Sequence, residues 1–242
     1  MAEVQLCCSV GLLSFKKWCF WFPNGLATCN GIYQDRYIFS CAAHSICMPG
    51  GLPVFHSLRI IIKTPKFPQI AFNVTCAVLS KQWLDLGKID CDVAFLSAVP
   101  QGGFCSQVEE IDPLWDLPKD DVSAKLVKRQ KKHHYASNLR QILTVDVPIR
   151  FLSTRVMAQA NQNVGDSGGP WLINEGGKLK QFSNTSFRLK SNRSYSYGPI
   201  WNSEVKGLFS EAVENLPESN KTVHFRFGER GKNEQGTRVA SK

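Results

Sequence analysis

Beyond Cys105 the chain has no cysteine, and nowhere does it carry a C-x-x-C pair or a histidine at zinc-finger spacing from its cysteines. Those absences argue against a thiol-ligated zinc module. It also lacks any run of about 18 uncharged apolar residues, so no membrane-spanning helix is expected. Acids are scarce beside bases, 20 against 29, which gives a net charge of +9. Much of that excess sits in a cluster at Lys125, Lys128, Arg129, Lys131 and Lys132 and in the C-terminal tail. Its first reading is a solvated surface, ahead of an anionic partner. Aromatics suited to base stacking are sparse around the cluster, so no specific nucleic-acid partner is expected. What the chain does have is an ordinary globular balance, 43% hydrophobic and 20% charged, which excludes a wholly disordered chain. Its 242 residues fit one domain or two closely packed halves.

The nine cysteines fall between Cys7 and Cys105. An odd count leaves at least one thiol unpaired within the chain, unlike a fully bridged secreted framework. Val4 to Phe15 is moderately apolar but follows Glu3 and has no basic segment before it, which makes a poor signal peptide. Sequons at Asn73, Asn184, Asn192 and Asn220 lean weakly toward a secretory route.

Short apolar runs bounded by Gly, Pro, Asn and Asp dominate: Arg36–Ser40, Leu58–Ile62, Val93–Leu96, Ile142–Phe151 and Trp171–Ile173. They are rich in β-branched or aromatic residues, and few stretches hold a helical period. In the longest, Leu143, Val145, Val147 and Ile149 alternate with polar residues and Pro148, whose missing N–H predicts an edge or bulge. Many short strands in a chain of this length predict an all-β sandwich or a pair of barrels. Glu109–Pro118 reads as a connector, and Val223–Phe227 as one strand in an otherwise polar tail.

Gly165-Asp166-Ser167-Gly168-Gly169-Pro170 is the sharpest signal. Its chance occurrence in such a chain is on the order of one in 10⁵. Glycines around a serine permit a tight turn that leaves the hydroxyl exposed, and the Gly165 and Ser167 amides can then converge on an oxyanion. A serine hydroxyl needs a base. His44, after the small residues of Ser40-Cys41-Ala42-Ala43, has room to supply one; His56, His133, His134 and His224 lie in weaker settings. The imidazole in turn needs a carboxylate. Asp92 abuts the apolar run Val93–Leu96 directly, and Asp90, of the same strand parity, is its rival.

The order His44, Asp92, Ser167, in the settings A-A-H, D-V-A-F-L and G-D-S-G-G-P, resembles the trypsin/chymotrypsin family of serine endopeptidases. Ile111–Pro118 is similar to that family's inter-barrel connector, and Leu139–Ile149 to the first strand of its second barrel. The resemblance covers about residues 25 to 173. It implies a double six-stranded β-barrel with the active site between the barrels and no metal or cofactor. The expected spans are a first barrel over 1–108, connector and basic loop over 109–138, a second barrel over 139–216 and a tail over 217–242. A protein or peptide substrate and a protein inhibitor are the implied partners. Two rivals stand beside an endopeptidase: a catalytically impaired homologue acting as a binding module, and a viral polyprotein-processing protease.

The resemblance carries further expectations. Cys29-Asn30-Gly31 precedes His44 where the family places a cysteine and glycines, so Cys29 and Cys47 could form a disulfide beside the histidine, with Cys41 as a competitor. The family's basic-residue–I-V-G-G activation site is absent, which leaves Asp166 without the freed N-terminus it would pair with. Val205–Ser210 is similar to the substrate-binding strand, with Leu179–Ser183 as the alternative. Asn161, six residues before Ser167, falls at the floor of the primary specificity pocket and suits an uncharged or aromatic side chain better than Arg or Lys.

Overall fold

The structure, a computed structural model, describes residues 8–17, 20–33, 36–51, 55, 57–63, 69–103, 105–115, 123–129, 142–163 and 165–227. The first half carries β1 (Val10–Lys17), β2 (Phe20–Tyr33), β3 (Arg36–Cys41), β4 (Leu58–Ile62), β5 (Ile70–Ser80), the short helix α1 (Lys81–Leu86) and β6 (Ala94–Pro100). All pairings are antiparallel, and that of β5 with β6 closes the six strands into a barrel. The second half carries β7 (Ser123–Arg129), β8 (Ile142–Phe151), β9 (Arg155–Ala158), β10 (Pro170–Glu175), β11 (Lys178–Asn184), β12 (Phe187–Leu189) and β13 (Asn192–Pro199). These form a curled sheet in the order β11-β10-β7-β8-β9-β13-β12. The chain then returns to the first half through α2 (Ser203–Glu214) and β14 (Thr222–Arg226), which pairs with β5. The expected pair of all-β barrels is therefore present as one closed six-strand barrel and one open half-barrel.

Strand periodicity explains how the halves meet. Along β3, Tyr37, Phe39 and Cys41 point into the barrel core, packing with Phe72 and Leu96. Ile38 points outward into a cluster with Phe95, Trp201 and the buried face of α2. Ser40, on that same outward face, hydrogen-bonds Gln181 of β11 at 3.2 Å. One strand thus serves the core, the helix and the opposite half because successive side chains alternate in direction. Pro148 sits at the end of the β7–β8 ladder, one residue short of where β9 begins to pair, so its missing N–H breaks no ladder.

Two sequence expectations are corrected here. Val205–Ser210 is helix, not strand. Asn202 caps α2 by accepting from the Glu204 and Val205 amides, and Val205, Leu208 and Ala212 recur at helical spacing on its buried face. The Cys29–Cys47 bridge is absent: Cys8, Cys29, Cys41, Cys47, Cys76, Cys91 and Cys105 are all free thiols. The residue packed against Ser45, beside the histidine, is Gly25 rather than a cysteine. Burial pushes the Cys29 thiol up to about 12 and that of Cys47 up to about 11, so both behave as inert core side chains. Cys7 and Cys19, His56, His133 and His134, Lys131 and Lys132 all lie outside the described residues. Among the described residues no helix is long and apolar enough to cross a membrane.

Candidate active site

His44 occupies a single 3-10 turn, Ala43–Ser45, that leaves β3 through the fully buried Ala42 and Ala43. Asp92 ends another such turn, Ile89–Cys91, just before β6. Because β3 and β6 are paired through Cys41 and Ala94, the two turns emerge side by side. Asp92 meets His44 twice: its Oδ1 accepts the His44 backbone N–H at 2.8 Å, and its Oδ2 lies 2.7 Å from Nδ1. The aspartate side chain is 3% exposed and the imidazole 28%, so the acid is sealed while the base still reaches the crevice. Asp90 is turned away and pairs with Arg155 of β9 at 3.0 Å.

Further groups fix Asp92 that nothing in the sequence announced. The Ser186 hydroxyl donates to Asp92 Oδ2. The Asn184 side chain donates to the Asp92 carbonyl at 3.2 Å and accepts from Trp201 Nε1 at 3.2 Å. Asn184 is fully buried in this role, which removes its sequon as a glycosylation acceptor. Both residues belong to the segment the Leu179–Ser183 alternative approached, at the end of β11 and before β12.

The serine loop packs directly against β2 and against the Cys41–Ala42 link that leads to His44. The Leu26 amide donates to the Ser167 carbonyl at 2.7 Å. Gly168 has φ +81°, and a Cβ there would lie 2.2 Å from the Leu26 carbonyl and 3.0 Å from the Ala42 amide. Only glycine permits both that backbone conformation and that approach. Gly165, at φ +92°, takes a backbone conformation that favours glycine, and the Arg129 guanidinium packs over it. Among the described residues neither the Gly165 nor the Ser167 amide donates a hydrogen bond, and no hydrogen bond joins His44 to Ser167.

Asp166 is fully buried, and its partner is found inside the chain. Oδ1 accepts the Arg129 amide of β7 at 2.8 Å and Oδ2 accepts the Asn163 amide at 2.6 Å. Burial raises its pKa, and the two amides together with the Arg129 and Lys128 charges oppose that rise without cancelling it. Arg129, a member of the basic cluster expected at the surface, thus supplies the backbone amide that holds the serine loop. Asn161 lies at the surface, where its Oδ1 accepts from the Arg188 guanidinium at 3.2 Å.

Elsewhere, a pocket of about 600 Å³ opens between α1 and α2, lined by Asp85, Asp90, Glu204, Glu211 and Cys91 among others. Burial raises the Cys91 thiol, so the pocket lacks an activated nucleophile. Among the described residues no group of His, Cys, Asp and Glu could hold a metal ion.

The His44 environment sets a pH dependence. Burial alone would lower its pKa, but the Asp92 charge and hydrogen bond outweigh it and raise the value above 6.5. An imidazole must be neutral to accept a proton, so any reaction that uses His44 as its base should fall off on the acid side with a midpoint above 6.5. The Asp92→Asn change removes both upward influences and keeps the burial, so that midpoint should move down. By linkage, the charged pair contributes stability below about pH 6.5 that is lost as pH rises through the raised folded value. Rate profiles and thermal melts between pH 5 and 9 check both directions.

The architecture matches solved serine proteases. The chain is similar to the protease Anisep from Arthrobacter nicotinovorans, with a TM-score of 0.68 and 16% identity over 86% of this chain and 96% of that one. It is likewise similar to the thermostable serine protease AL20 from an extremophilic microorganism, with a TM-score of 0.70 and 17% identity over 88% and 100% of the two chains. At such identities the likeness shows the fold. No protein-family model and no curated protein matches the sequence. The chain thus has the chymotrypsin-like double-barrel fold of serine proteases, in a sequence far diverged from both structures.

Proposed function

We propose that the chain is a serine endopeptidase that hydrolyses protein or peptide substrates through Ser167, His44 and Asp92. The observation that carries this reading is the paired contact of Asp92 with His44 beside a glycine-framed serine loop. Ser167 Oγ attacks the scissile carbonyl, and His44 Nε2 accepts its proton as the new C–O bond forms. The Gly165 and Ser167 amides, which donate to no protein acceptor among the described residues, point to a site for the oxyanion. Collapse of the tetrahedral intermediate breaks the C–N bond, with the proton passed from His44 to the leaving amine. Water then repeats the sequence on the acyl-enzyme. Asp92 holds Nδ1 protonated, which leaves Nε2 as the acceptor.

The missing His44–Ser167 hydrogen bond favours a second reading, an impaired homologue that binds peptides without cutting them. Such bonds often tighten only with substrate bound. A fluorophosphonate probe separates the two. It should label the folded protein at Ser167, lose all labelling in Ser167→Ala and lose most of it in His44→Ala. Well-folded wild type that takes no label would favour the binding module.

A further inference from the structure

The segment carrying Asn161 to Ser167 runs beside the segment carrying Thr185 to Arg188. Thr185 and the serine loop exchange backbone hydrogen bonds, Gly168 N–H to the Thr185 carbonyl at 2.8 Å and Thr185 N–H to the Gly169 carbonyl at 2.8 Å. The Gln162 side chain donates to Thr185 Oγ1 at 2.7 Å. Ser196 of β13 donates to the Ala160 carbonyl at 2.9 Å, just before Asn161. These contacts tie the stretch that leads into Ser167 to the stretch that carries Ser186. Arg188, two residues beyond the Ser186 that holds Asp92, reaches across between them to Asn161.

The charge on these segments is one-sided. Residues 155–163 and 186–199 contain Arg155, Arg188, Lys190 and Arg193 and no acid. Arg155 is matched by Asp90 of the first barrel. Asp166, the acid of the serine loop, is buried with its oxygens turned to the Arg129 and Asn163 amides. Among the described residues Arg188, Lys190 and Arg193 pair with no carboxylate, and Arg188 meets only the neutral amide oxygen of Asn161. A guanidinium holding a neutral acceptor gains by exchanging it for a carboxylate, since charge-assisted and two-pronged hydrogen bonds are stronger.

We propose that Arg188 makes this protease selective for glutamate or aspartate at the substrate residue that supplies the scissile carbonyl. The proposal rests on the endopeptidase reading and replaces the expectation, drawn from Asn161 alone, of an uncharged or aromatic side chain there. Asn161 then holds the guanidinium until an incoming carboxylate takes its place.

A set of peptides differing only at that residue tests it. Wild type should cleave after Glu or Asp with kcat/KM on the order of 10–100-fold above Gln or Asn, and comparison of the two acids tells which length fits. The Arg188→Gln change should bring that ratio close to one, and Arg188→Glu should turn preference toward Lys and Arg. Arg188 is half-buried on the short edge strand β12, and a thermal melt of each variant checks that it stays folded. A wild type that takes the fluorophosphonate label at Ser167 yet prefers neutral side chains overturns this inference and leaves the endopeptidase reading intact. So does an Arg188→Gln enzyme that merely gains bulky residues, which would make Arg188 a steric plug. Fluorescence anisotropy with Ser167→Ala protein gives an answer independent of cleavage. A glutamate peptide should bind more tightly than its glutamine counterpart, with the gap closing at high salt, and equal affinities overturn the proposal.

Discussion

Asp92→Asn should lower kcat by about 10³–10⁴-fold while the protein stays folded. The magnitude follows from how Asp92 is used. One oxygen accepts the His44 backbone N–H, and the other accepts from both the imidazole and the Ser186 hydroxyl. An asparagine has a single acceptor end. Keeping that end on the His44 amide turns the side-chain NH₂ toward Nδ1, which stabilises the tautomer protonated at Nε2. That tautomer points a hydrogen at Ser167 and cannot take the proton. Ser186 can rotate its hydroxyl to accept from the new NH₂, so the wrong arrangement is well satisfied. Asp90→Asn should leave kcat nearly unchanged, because its partner is Arg155 and the pair is partly solvated. Single-turnover rates for the two variants, with the acid-side midpoint measured alongside, check the ranking. An Asp90 variant more damaging than the Asp92 one would reassign the acid.

The parts of this site legible in the sequence are those imposed by local backbone demands. Gly165 and Gly168 are written into the motif because both take a positive φ, and at Gly168 the Leu26 carbonyl also leaves no place for a Cβ. Ala42 and Ala43 are there because they are sealed beneath the turn that carries His44. Asp92 was separable from Asp90 because a run of apolar residues begins next to it. Ser186 and Asn184 were not legible, for they reach Asp92 across more than 90 residues of chain and belong to no motif. Nor was the role of Arg129, which contributes a backbone amide that any residue but proline could supply. Helix α2 hid for a different reason: its apolar side chains suit strand and helix alike over six residues, and only the Asn202 cap and the recurrence at Ala212 tell them apart. The expected disulfide failed because Cys29 is directed into the barrel core, where its thiol contacts the Gly31 carbonyl, while Gly25 packs beside the histidine turn.

Asp166→Ala should cost about 10²–10³-fold in kcat, through the oxyanion rather than the triad. The carboxylate is fully buried and ties the Arg129 amide of β7 to the Asn163 amide at the loop's start. Removing it strands two half-buried amide donors, each at no more than about 1–3 kcal/mol, and frees the turn that aims the Gly165 and Ser167 amides. Asp166→Asn can satisfy one amide but presents its NH₂ to the other, so it should recover only part of the loss. The Asp92–His44 contacts lie on other turns, so the acid-side midpoint of the rate profile should stay where wild type has it, in contrast to Asp92→Asn. The same geometry bears on activation. Both carboxylate oxygens are already engaged by backbone within the described chain, so a freed α-amino group is not needed to set the loop. Acetylating the chain's α-amino group should therefore leave kcat/KM unchanged within a factor of about two, since no charge that fixes the oxyanion site is removed. A large drop on acetylation would show instead that an amino-terminal charge shares Asp166 with Arg129 and Asn163, and that the loop is switched by it.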